Sequence, residues 1–122
     1  MLIIPLYDLC AANIELSGLL TDSVGLKVSE FDADATTSAP YVCWQIINAD
    51  PEQYLSDASD MDSLYVQINV YAKTKAETRS IAKLVRKVIE DVCSIVDYTG
   101  CERDPAVNLY SIRIDSRWLE EP

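Results

Sequence analysis

The strongest constraint on the fold is a change of period inside one continuous stretch, residues 64–92. From Leu64 to Tyr71 the chain alternates, with Val66, Ile68 and Val70 set against Tyr65, Gln67, Asn69 and Tyr71. Successive strand side chains point to opposite faces, so one face is aliphatic and the other polar and aromatic. From residue 75 the period becomes helical. Ile81, Leu84, Val85, Val88, Ile89 and Val92 fall on one stripe, as in a helix with a single buried face. Thr74, with Glu77 three residues on, has the form of a capping box and predicts the helix start. A one-sided strand that leads directly into a one-sided helix predicts that the helix lies across the sheet, apolar face to apolar face.

The rest of the chain supplies partners for that unit. Tyr41 to Asn48 reads as another strand, with Val42, Trp44 and Ile46 on one face and Tyr41, Cys43, Gln45 and Ile47 on the other. Residues 24–31 read as an earlier strand, Ile95 to Glu102 as a later one, and Leu109 to Trp118 as the last. An N-terminal helix starts at Pro5 and ends near Ser17-Gly18. Ala49 to Asp62 reads as a long acidic loop. The expected fold is one α+β domain over residues 1–122. It is a two-layer sandwich in which two helices pack on one face of a mainly antiparallel sheet of four to five strands.

Charge narrows the function classes. The chain has 20 acidic and 10 basic residues, a net −10, and no histidine. The absence of histidine removes Ser-His-Asp and Cys-His catalysis and every His-containing metal site. A net −10 also argues against holding nucleic acid by its phosphates. The charge is strongly polarised. Residues 1–72 carry the whole −10, with Lys27 as the only base. Residues 73–87 hold Lys73, Lys75, Arg79, Lys83, Arg86 and Lys87 against Glu77 alone, a local +5.

No constellation for chemistry stands out. Asp57, Asp60 and Asp62, with Asp50 and Glu52 upstream, lack the glycine and terminal glutamate of an EF-hand loop. The expectation is no catalytic, cofactor or metal site, and four reduced cysteines (Cys10, Cys43, Cys93, Cys101) in a protein made in the cytosol. No segment approaches the roughly 20 apolar residues of a membrane span. Interaction surfaces are the better candidates. Lys75, Arg79, Lys83, Arg86 and Lys87 on the outer helix surface, with Tyr41, Tyr65 and Tyr71 on the sheet face turned from the helices, are candidate subunit contacts. Asp32, Asp34, Asp50, Glu52, Asp57, Asp60 and Asp62 are candidates to face a neighbour or a lumen.

Pro40-Tyr41-Val42 opening a strand, the acidic connection, and Val66-Gln67-Ile68-Asn69-Val70-Tyr71-Ala72 running into a helix at Ala76-Glu77 form a recognisable series, closed by an alternating strand that ends in Trp118. In this series the chain resembles the tail-terminator, or tail-completion, proteins of long-tailed bacteriophages and prophages. The resemblance implies a non-enzymatic virion protein at the head-proximal end of the tail, present in the host cytoplasm during assembly. It implies a homo-oligomeric, hexameric ring that caps the tail tube, stops its polymerisation and meets the head–tail connector protein. DNA would pass through without specific binding. Another connector or stopper protein of the virion is the nearest alternative; a small ligand-binding regulatory domain is the alternative from another class.

Overall fold

The computed structural model describes residues 4–31, 38–54 and 57–120, with side chains described throughout except at 50–54, 57–62 and 120. The first element is not the single helix expected. It is α1 (Leu6–Ala12) followed by α2 (Ile14–Leu20), broken at Asn13. Asn13 adopts extended geometry (φ −90°, ψ 116°), and its Oδ1 accepts from the Leu16 N–H at 2.9 Å. An asparagine that caps a new helix competes with continuation of the old one. Gly18, expected near the helix end, lies inside α2.

The first strand is shorter than residues 24–31. Asp22 Oδ1 accepts from Val24 and Gly25 N–H and closes a turn there, leaving β1 as Val28–Glu30. It pairs parallel to β2 (Tyr41–Tyr54), with Val28 opposite Val42. β2 turns back antiparallel into β3 (Asp57–Ala72), with Tyr41 opposite Tyr71 and Trp44 opposite Ile68. The predicted loop over residues 49–62 is therefore corrected. Both strands run through it, and Pro51 pairs with Asp62, Glu52 with Met61 and Tyr54 with Asp57. A register shift between Ile46 and Asn48 places Ala49 opposite Leu64 and against the core, as a bulge does.

Helix α3 (Lys75–Ile89) starts as predicted. Thr74 Oγ1 accepts from the Glu77 N–H at 3.2 Å. Two short strands follow where one was expected, β4 (Ser94–Tyr98) and β5 (Glu102–Asp104). Both pair with β6 (Leu109–Glu120), at different levels of the same edge. Among the described residues the sheet has six strands, somewhat more than expected, in the order β1-β2-β3-β6-β4 with β5 beside β6. All pairs are antiparallel except β1–β2.

The α+β layering holds, with three helices among the described residues, all on one face. Leu6, Cys10, Leu16 and Leu20 from α1 and α2 join Ile81, Val85 and Ile89 from α3 over Val42, Trp44, Val66, Ile68, Val70, Ile112 and Ile114. Each fully buried aliphatic side chain contributes about 1.5–3 kcal/mol. Val92, the last residue of the predicted stripe, lies past the helix end and is exposed. No described helix is long and apolar enough to cross a membrane.

Candidate assembly interface

The cationic residues of α3 share one side. Positions 75, 79, 83, 86 and 87 fall within about 120° of arc at 100° per residue and span about 18 Å along the axis. Lys73, Lys75, Arg79, Lys83, Arg86 and Lys87 are all exposed. Among the described residues, none of these six forms an ion pair; the Arg113 Nε to Asp115 Oδ2 pair, at 3.4 Å, lies elsewhere, on the sheet.

Two cations are steered by aromatic rings. Arg86 sits over Tyr98 at 5.8 Å from the ring centre, and Lys75 over Tyr110 at 5.7 Å. Such contacts are worth about 0.5–1 kcal/mol at exposed sites and fix direction more than they add stability. Tyr98 is in β4 and Tyr110 in β6, so these two cations lie over the β6–β4 part of the sheet. Burial raises the Tyr98 phenol above its ordinary pKa, and Arg86 offsets part of that rise. The sequence showed the cations but not these partners, because which strands come to lie beside α3 is set by the sheet order and not by local spacing.

The sheet face turned from the helices carries the tyrosines. Tyr41 and Tyr71 stack with ring centres 5.0 Å apart. Tyr41 is buried, more than expected, while Tyr65 and Tyr71 are half-buried. Phe31 and Val107 wall a concavity of about 230 Å³ over the stack, floored by Gln45 and Asn69. Phe31 has φ 64°, a left-handed conformation costly for a bulky residue, and its N–H still donates to Trp44 O at 2.6 Å. Its ring is thereby presented to solvent, 61% exposed. A second concavity on this face is lined by Ile47, Tyr65, Gln67, Val96 and the Arg113–Asp115 pair. Ile47 and Val96 are exposed. This face brings aromatic and aliphatic surface together around a few polar groups, which is what protein interfaces use.

The acidic candidates divide. Asp32 and Asp34 lie outside the described residues. Asp50, Glu52, Asp57, Asp60 and Asp62 belong to β2 and β3, but their side chains lie outside the description. Among the described residues, no group of His, Cys, Asp or Glu is arranged to hold a metal ion. Burial pushes the Cys10 thiol up to about 12 and the Cys93 thiol up to about 11, the opposite of what a reactive thiol needs.

Comparison with known proteins adds three findings. Residues 4–121 match a family model described as tail completion protein gp17. A chain from a solved structure of the virion of a native gene transfer agent particle matches with TM-score 0.61 and 16% identity, over 96% of this chain and 92% of that one. At that identity the likeness concerns the fold. No curated protein matches at a significant level.

Proposed function

The chain belongs to the tail completion protein gp17 family, and from that premise we propose that it is a structural component of a phage-like virion tail and forms a closed, hexameric ring. The ring caps the tail tube, stops its polymerisation and offers its other surface to the head–tail connector protein. The role is structural and needs no catalysis. The observation that carries this reading is the family match, because it spans residues 4–121 and so nearly the whole domain.

The surfaces support it physically. A closed ring of identical subunits needs two different, complementary patches on each copy, because its contacts are heterologous. A chain with net −10 concentrated in residues 1–72 and a local +5 at 73–87 has unlike patches to offer. The aromatic sheet face supplies a further surface for the tube or the connector. Six copies would carry −60, six times the −10 of one chain, and a field of that sign lets DNA pass without adhering.

Solution mass with negative-stain imaging tests the reading. The expected particle is a closed ring of about 82 kDa, six times the 13.6 kDa chain. A monomer at every concentration and salt would overturn it.

A further inference from the structure

We propose that the acidic β2–β3 ribbon of one copy seats along the basic flank of α3 of the next copy. The inference rests on the ring reading above and names the two surfaces that would build its repeating contact.

The ribbon is the first half. Strand β6 ends at Glu120, opposite Asp62, and β1 reaches only as far along β2 as Trp44. Beyond that level, Glu52 pairs with Met61 and Tyr54 with Asp57, and among the described residues no third strand joins them. At about 3.4 Å per residue the overhang is roughly 10–15 Å long. A two-stranded ribbon is marginally stable alone in water and gains from a surface to lie on. Residues 50–62 carry Asp50, Glu52, Asp57, Asp60 and Asp62 and no lysine or arginine.

The flank is the second half. Its cations extend about 18 Å, a length that accommodates the ribbon, and they are exposed without ion pairs among the described residues. The flank does not lean toward its own ribbon. Arg86 lies over Tyr98 of β4 and Lys75 over Tyr110 of β6, at the end of β6 away from the ribbon. Strand β6 separates β4 from β3, which puts the two about 10 Å apart at ordinary strand spacing. The occupant that fits is therefore a second copy, with opposite charge of similar extent. Ribbon and flank are different surfaces of the subunit, one a strand pair and the other the outer side of a helix. Their contact is head-to-tail and repeats from copy to copy.

Sedimentation velocity at 50 and 500 mM NaCl tests this with charge swaps. Lys83→Glu with Lys87→Glu alters exposed cations that touch neither tyrosine ring, and Asp57→Lys with Asp60→Lys alters the ribbon. Each pair is expected to weaken self-association at least tenfold at 50 mM NaCl, with a smaller effect at 500 mM. The fourfold swap is expected to restore assembly to within about threefold of wild type. Lys83→Gln with Lys87→Gln, a milder change to the same helix, is expected to cost several-fold with unchanged helix content. Rings that form unaltered in both doubly reversed variants would overturn the contact and leave the ring reading standing, as they would if the ribbon lined the lumen. Folded reversed variants that fail to restore each other in the swap would also overturn the contact. Duplex DNA binding to the flank with ring mass unaffected would do the same. A wild-type chain that stays monomeric up to millimolar concentration would overturn the ring reading and this contact together.

Discussion

Replacing Ser116 by alanine should destabilise the domain through one orphaned donor. Ser116 lies on the core face of β6, 1% exposed, between Ile114 and Trp118. Its Oγ accepts from Trp118 Nε1 at 2.8 Å and donates to Val66 O at 3.2 Å. Trp118 is 2% exposed, so its indole N–H has no water to turn to. Ser116→Ala removes little volume but leaves that N–H buried and unpaired, at a cost of about 1–3 kcal/mol. For 122 residues at about 2.1 cal/mol/K per residue, the unfolding entropy is roughly 0.26 kcal/mol/K. A loss of about 2 kcal/mol then lowers Tm by roughly 8 °C. The assay is urea and thermal unfolding followed by circular dichroism, at dilution where the chain is monomeric, so that assembly does not add apparent stability. The control is Trp118→Phe, which removes the donor. In that background Ser116→Ala should cost less than about 0.5 kcal/mol, giving a coupling of at least about 1 kcal/mol. A Ser116→Ala variant within about 0.5 kcal/mol of wild type, or an equal cost in both backgrounds, would refute the reasoning.

Three further outcomes can be checked separately. Thr74→Ala should cost about 1 kcal/mol of stability and Thr74→Ser far less, because the hydroxyl accepting from the Glu77 N–H is what caps α3; equal costs for the two would contradict the cap. At pH 8 the Cys10 thiol of the folded protein should resist alkylation, since a pKa pushed from 9.0 to about 12 by burial leaves about a thousandfold less thiolate, and rapid native-state labelling at Cys10 would contradict it. Hydrogen bonds from the amides of Val24 and Gly25 hold the Asp22 carboxyl below the ordinary aspartate value. A depressed folded pKa makes the contribution of this turn present at neutral pH and lost as pH falls through that lowered value. The Asp22 carboxyl signal in an NMR titration should therefore have a midpoint below that of an unperturbed aspartate, and an ordinary midpoint would contradict the turn.

Much of the fold was legible because its signals are local. The period of α3, its Thr74 cap and the two-faced strands over 41–48 and 64–71 follow from spacing alone, and the structure buries the faces they predict. The parts that were not legible depend on distant partners. Asp, Glu and Pro51 in residues 49–62 suggested a loop, but β2 and β3 carry their register outward from Trp44 opposite Ile68. The break at Asn13 is a local exception: the spacing reads as one helix, and the Asn13 side chain, accepting from the Leu16 N–H, starts a second. Ser116, a polar residue on the core face of β6, is satisfied by Val66 and Trp118, one of them fifty residues away. The candidate interface divides the same way. Its cations are visible as a helical stripe, whereas Tyr98 and Tyr110, which direct that stripe sideways, come from strands remote in sequence.

The most direct test of the tail-capping role is growth of the tail tube itself. Purified tube protein polymerised alone and with this chain can be compared by electron microscopy, with the chain gold-labelled. The account predicts label at one end only, as a ring, and tubes that stop lengthening once capped. Tubes that grow to the same lengths in its presence, or label spread along their walls, would contradict it.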